Sequence, residues 1–178
     1  TAPKLSNALA IHEQLVINGI RYVPNYAIEL KETPIEITNN SITSELQSIG
    51  KGQVLQIEIA LLKAKLKTII ELCKPGTIIY SIFVDEIFDL IANAVKTSGL
   101  RVARFNGDDK SGIDLFKQGK AEVLIGSSAL GTGVDGLQYV CNRLIITSLP
   151  WTSAGYEQLL GRIYRQGSKF TEVEVFIP

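Results

Sequence analysis

The sequence has no methionine, one histidine and two cysteines in 178 residues. His12 stands alone, and Cys73 and Cys141 lie far apart, so the spacing of a zinc site is missing. Two reduced thiols in an intracellular, cytoplasmic-type protein are the expectation. No sign of charge is in excess: 18 Lys and Arg balance 18 Asp and Glu. That removes a bulk basic field as a signal for nucleic acid, although a local stripe can still bind phosphate at zero net charge. No apolar run reaches the roughly 18 residues of a membrane helix, and no leader pattern opens the chain. A membrane partner is therefore not expected. A chain that starts at Thr1 without methionine is expected to be part of something longer. What is plentiful is apolar residue, 46% of the total, enough for one domain with a sizeable core, with or without an extension.

Residues 1–47 carry little pattern. "IHEQLVINGI" has the mixed character of a short helix, "YAIELKE" alternates like a half-buried strand, and "TNNS" is a turn signal. From 53 to 73, Leu55, Ile59, Leu62, Leu66, Ile69 and Ile70 form a helical stripe that "KPG" ends. Strands and helices then alternate. "TIIYSIF", "LRVARF", "AEVLIGS", "RLIITSL" and "TEVEVFI" read as strands, and "VDEIFDLIANAVKTSG", "GIDLFKQG" and "TSAGYEQLLGRIYRQ" as helices. Thr152 or Ser153 is the N-cap expected for the last helix. This alternation predicts an α/β domain with a mostly parallel central sheet flanked by helices. Ligands of such sheets sit at the carboxyl ends of the strands. The loops that follow strands are thus the places to look for chemistry.

Two stretches stand out. On a helix over 153–166, at about 100° per residue, Gln158, Arg162 and Arg165 fall within about 60° of one another. Gly161 lies on that flank, and Tyr156, Leu159, Leu160 and Ile163 fall opposite. A solvated polar face is the ordinary reading of such a helix. The pair of arginines without an acidic partner at helical spacing favours instead bidentate contact with phosphate. The second stretch, "GSSALGTGVDGLQ", follows a strand and sets Gly126, Gly131, Gly133 and Gly136 among Ser127, Ser128 and Thr132. Glycines and hydroxyls after a strand can expose backbone N–H groups to phosphate. Asp135 can accept from a ribose hydroxyl or pin an arginine. The spacing matches neither dinucleotide nor P-loop fingerprints, so a plain loop stays open as the alternative. Asp108 and Asp109 read as turn-capping residues, and Trp151 as a packing anchor between strand and helix or a platform for base stacking.

Taken together, "KLKTIIELCKPGTIIYS", "FNGDD", "VLIGSSALGTGVDGLQ" and "LIITSLPWTSAGYEQLLGRIYRQG" resemble, in order, motifs of the second, C-terminal RecA-like domain of superfamily two helicases and translocases. The resemblance runs from Lys63 to Pro178, with residues 1–47 as an inter-domain connection or N-terminal extension and 48–178 as the domain. Gln158, Gly161, Arg162, Arg165 and Gly167 fill the family pattern QxxGRxxRxG. "LPW" before the helix is similar to the Swi/Snf-like DNA translocase branch, although Ser168 stands where that branch has glutamine. The resemblance implies that Arg162 and Arg165 act as arginine fingers on ATP held by a first domain, with Gln158 coupling within the cleft. Such a finger is worth about 10³–10⁵ in rate. It implies Gly133, Asp135 and Gly161 at the nucleotide edge. Ser81, Asn106, Gly107, Ser127 and Ser128 would lie on the phosphodiester backbone, where contacts set register rather than sequence.

Neither GxxxxGK[ST] nor an acidic Mg²⁺ motif after a strand is present. ATP and Mg²⁺ are thus expected to be held mainly by an N-terminal RecA-like domain of the same polypeptide, and this chain by itself is expected to be inactive. The expected track is DNA, duplex rather than single-stranded. The competing readings are a binding-only helicase-like module, an RNA helicase lobe, and a small-molecule enzyme on a doubly wound sheet. The last would need an early dinucleotide loop, which the sequence lacks.

Overall fold

The computed structural model describes residues 15–17, 20–22, 28–38, 40–50, 52–132, 134–165, 168 and 170–178. Leu15–Ile17 (β1) and Ile20–Tyr22 (β2) pair as an antiparallel ribbon. The short helix expected for "IHEQLVINGI" is therefore absent from the described part of that stretch. Its closely spaced Leu15, Val16, Ile17 and Ile20 suit β pairing. The main sheet has six strands in the order β3-β8-β7-β4-β6-β5. These are Glu29–Pro34 (β3), Thr77–Tyr80 (β4), Val102–Phe105 (β5), Val123–Gly126 (β6), Arg143–Ile146 (β7) and Glu172–Ile177 (β8), and every pairing is parallel. The expected α/β class with a parallel sheet is what forms. The edge strand β3 comes from the segment expected to be a connection or extension, and it adds to the sheet alongside β8.

Strand β4 is buried at every position, as the centre of a doubly covered sheet requires. Alternate residues feed two cores. Ile79, Ile125 and Ile145 point to the layer of Val54–Leu72 (α2) and Asp85–Thr97 (α3). Ile78, Tyr80, Leu124, Leu144 and Ile146 point to the layer of Ser111–Lys117 (α4) and Ser153–Leu160 (α5). The helical stripe read from the sequence supplies the first layer, with Ile59, Leu62 and Ile69 buried. Each fully buried isoleucine contributes about 1.5–3 kcal/mol of transfer free energy. Asn40–Ser48 (α1) is a helix where "TNNS" promised only a turn. The asparagine and serine that suit a turn suit a helix start equally well.

Helix α2 ends at Cys73, whose N–H donates to the Ile69 and Ile70 carbonyls. The turn that follows needs glycine. Gly76 has φ 87°, and a side chain there would meet the Val140 carbonyl. Helix α4 lies so close to β5 that a Cβ on Gly112 would run into the Arg104 carbonyl. Among the described residues, no helix is long and apolar enough to cross a membrane.

Candidate functional site

The strands end in step. Tyr80 is level with Gly126 and Ile146, and Phe105 is level with Gly126. Ser81, Asn106, Ser127 and Thr147 therefore leave the sheet at one height, on its carboxyl edge. Backbone bonds fix this rim: the Ser81 N–H donates to the Gly126 carbonyl at 3.0 Å, and the Thr147 N–H to the Tyr80 carbonyl at 3.0 Å. Lys65 reaches over from α2 and donates to the Thr147 carbonyl at 2.8 Å. Burial lowers the pKa of that amine.

Helix α5 starts as read. The Thr152 hydroxyl accepts from the Gly155 N–H at 3.0 Å, a side-chain N-cap. It ends earlier than read. The expected helix over 153–166 stops at Leu160, and Gly161 is its C-cap. The Arg162 and Ile163 N–H groups turn to the Leu159 and Leu160 carbonyls at 3.2 and 3.0 Å, a tightening of the last turn. Gly161 is thus not a helix-interior residue. The sequence could not show this, because apolar residues continue at helical spacing through Ile163, which is buried.

The arginines nonetheless converge, through tertiary contact rather than a shared helix face. Arg162 donates to the Gly131 carbonyl through Nη2 at 2.8 Å and to the Val134 carbonyl through Nη1 at 3.0 Å. Its Nη1 also lies 3.3 Å from the Asp135 carboxylate. Arg165 meets the same carboxylate oxygen at 3.4 Å. Asp135 therefore pins arginine, one of the two roles its position suggested. The guanidinium of Arg162 is largely enclosed, and that of Arg165 is more open. Gln158 lies against Gly131, and both line a cleft that Pro150 and Trp151 also line. Gly133 and Gly167 fall outside the described residues.

The residues expected on the nucleic-acid backbone divide into two groups. Ser81 is 1% exposed and Ser127 4%. The Ser81 hydroxyl donates to the Phe83 carbonyl at 2.9 Å and accepts from the Phe83 N–H at 3.1 Å, so it shapes the turn after β4. Ser128, Asn106 and Gly107 are on the surface. Gly107, at φ 117°, brings the β5–α4 turn within contact of Ala129, which gathers these three on one ledge. Beside them Asp109, one residue before the Lys110 N-cap position, accepts from the Ser111 N–H at 2.9 Å, which lowers its pKa and satisfies an N–H at the start of α4.

Trp151 departs from its packing role. It is 81% exposed and touches Phe83 edge-on, with ring centroids 6.4 Å apart. Tyr80, which the sequence gave no reason to single out, is 3% exposed and lines a cleft that Trp151 rims. Its burial raises the pKa of the phenol. An apolar strand ending in tyrosine reads as core, and only the position at the rim marks the residue.

This rim, two guanidiniums tethered to a glycine-rich loop beside a small polar ledge, coincides with a known family. The model of the helicase conserved C-terminal domain matches residues 64–167. The chain belongs to that family. Over 80 residues it is 39% identical to the uncharacterized ATP-dependent helicase YqhH of Bacillus subtilis (strain 168). That stretch is 42% of this chain and 14% of the relative, so the chain corresponds to a small part of it. Among solved structures, the C-terminal part of the Fun30 ATPase domain is similar at TM-score 0.52 and 24% identity, over 75% of this chain and 44% of that one. The yeast DEAD-box splicing factor Prp28 is similar at TM-score 0.58 and 15% identity, over 99% and 35%. A Dbp5 variant of S. cerevisiae bound to RNA and ADP BeF3 is similar at 0.51 and 19%, over 100% and 44%. At these identities the likeness is one of fold, the RecA-like fold of helicase C-terminal domains.

Proposed function

We propose that the chain is the second motor lobe of an ATP-dependent DNA translocase or helicase of the Swi/Snf-like branch. The observation that carries this reading is the convergence of Arg162 and Arg165 on Asp135 at the carboxyl edge of the sheet. Two guanidiniums held by one exposed carboxylate suit an exchange of partner. The terminal phosphate of ATP, presented by a first lobe, offers more acceptor oxygens and more charge than Asp135 does. Arg165, with its single long contact, is the group that moves to phosphate. Arg162 keeps the loop at 131–135 in register beneath it, and Gln158 couples the loop to the helix. Asp135 and Gly161 line the nucleotide edge of the cleft, the role that the resemblance also gives to Gly133, outside the described residues.

ATP is the substrate in this reading. Mg²⁺ would supply charge neutralisation to the phosphates, and it would be held mainly by the first lobe. Among the described residues, no cluster of His, Cys, Asp or Glu has the composition of a metal site. The track runs across the ledge of Ser128, Asn106 and Gly107, with Ser81 and Ser127 shaping it from below. Duplex DNA is the favoured track, on the strength of "LPW" ahead of α5.

The test is ATP hydrolysis by the full-length protein, wild type against Arg165→Ala, stimulated in turn by duplex DNA, single-stranded DNA and RNA. We expect a loss of a hundredfold or more in turnover, on the order of an arginine finger, with nucleic-acid binding retained. The strongest stimulant names the track, so RNA as the strongest would move the lobe to the RNA branch. A variant as active as wild type would reduce Gln158, Arg162 and Arg165 to an ordinary polar face and refute the motor reading of this chain.

A further inference from the structure

We propose that the cleft between Tyr80, Trp151 and helix α5 takes one unstacked base of the bound strand. This rests on the reading above that the lobe binds nucleic acid. It goes beyond it by assigning a base, not only backbone, to a built pocket.

The cleft has a volume of about 200 Å³. That is smaller than the roughly 300–1,000 Å³ of sites for drug-sized ligands, and it suits a single flat ring system. Its lining decides the class of ligand. No lysine, arginine, aspartate or glutamate lines it. A phosphate would therefore enter without a counter-charge, whereas a neutral heterocycle loses only the water bonds of those edge groups that find no partner inside. Ile82, Pro150 and Leu159 supply apolar walls, and Ser128 and Gln158 stand at its edges with polar groups. The larger neighbouring cleft, about 410 Å³ on the other side of Trp151, contains Lys65 and Glu58 and does not share this neutrality.

Tyr80 is the second, independent observation. Its side chain is almost wholly buried, yet its hydroxyl has no hydrogen-bond partner among the described residues. The hydroxyl is not one of the buried unpaired atoms of the described residues, so its accessible part faces the cleft that Tyr80 lines. A base edge entering the slot offers it an acceptor in place of water. At the mouth stands Trp151, 81% exposed. An indole left in water at the entrance of a neutral slot is a stacking platform, and stacking accepts any base because each has a π-face. Ser128 lies between this mouth and the outer ledge, so the sugar and phosphate of the same nucleotide stay outside on the ledge while the base turns inward.

The experiment compares two strands of equal length in the full-length protein: an oligothymidylate, and a phosphodiester strand from which every base has been removed. Affinity is read by fluorescence anisotropy for wild type, Tyr80→Phe and Trp151→Ala. Tyr80→Phe removes one hydroxyl without changing shape, and Trp151 is too exposed for its loss to unfold the domain. We expect wild type to prefer the strand with bases by about 5- to 150-fold, the range of base–aromatic stacking. Tyr80→Phe should weaken binding of that strand about 2- to 10-fold and leave the base-free strand unchanged. Trp151→Ala should do the same, more strongly. Equal losses on both strands would mean a structural role and overturn the proposal, as would a wild type that does not distinguish the strands. Binding of a duplex of the same length but of neither single strand would overturn the proposal, and binding of none of the three would refute the nucleic-acid reading itself.

Discussion

Arg162 and Arg165 look equivalent in the sequence, yet the structure gives them unequal mechanical roles, and stability measurements can tell them apart. Arg162 binds the carbonyls of Gly131 and Val134 at 2.8 and 3.0 Å and adds Asp135 at 3.3 Å. Its side chain is 23% exposed. A hydrogen bond from a charged group is worth about 1.5–3 kcal/mol net, and bonds that share one guanidinium are not additive. Arg162→Ala should therefore cost about 2–4 kcal/mol. For a chain of this size each kcal/mol moves the melting temperature by about 2–4 °C, which gives a fall of about 4–16 °C. Arg165 has a 40% exposed side chain and one contact at 3.4 Å. Exposed pairs of this kind contribute about 0–1 kcal/mol, so Arg165→Ala should shift the melting temperature by at most about 4 °C. Thermal unfolding followed by circular dichroism, without ATP or nucleic acid, measures both. Equal shifts, or a larger one for Arg165→Ala, would refute the division into loop holder and mobile finger.

Gly112→Ala should destabilise the domain by about 1–3 kcal/mol or more, because its Cβ would enter the Arg104 backbone carbonyl and force α4 off β5. Denaturant unfolding would register this, and an unchanged midpoint would contradict the close approach. Burial pushes the thiols up, Cys73 to about 11 and Cys141 to about 12, from an ordinary 9.0. Both should resist thiol reagents in the native state at pH 8. The unfolded chain releases these protons first, so stability holds below about pH 9 and falls as pH rises from there to about 12. Cys141→Ala should flatten that alkaline decline, though it also opens a small cavity, and an undiminished decline would show that other groups drive it.

How much of this was legible in advance follows from which interactions are local. Periodicity places the core helices and strands because burial of one helix stripe or one buried strand is written along the chain itself: Ile59, Leu62 and Ile69, or "TIIY". Cap chemistry marks Thr152 and Asp109 for the same reason. Motif order was enough to assign the family and to name Arg162, Arg165 and Asp135 as a set. Local signals failed where distant segments decide. The strand character of "YAIELKE" was legible, but its place at the edge of the main sheet was not, because β8, far along the chain, pairs with β3 in register. Helix α5 stops at Leu160 because Gly161 and Arg162 turn toward the loop at 131–135, while the apolar spacing runs on.

The sequence by itself therefore determined the α/β class, the family and the identity of the charged residues, since composition, periodicity and short motifs are properties of neighbours along the chain. Only the tertiary structure decided that Ser81 and Ser127 lie under the rim, that Trp151 stands in solvent, and that Tyr80 opens onto a neutral cleft. Burial and convergence depend on which strands end level and which loops meet above them, and no stretch of sequence contains both partners of such a contact.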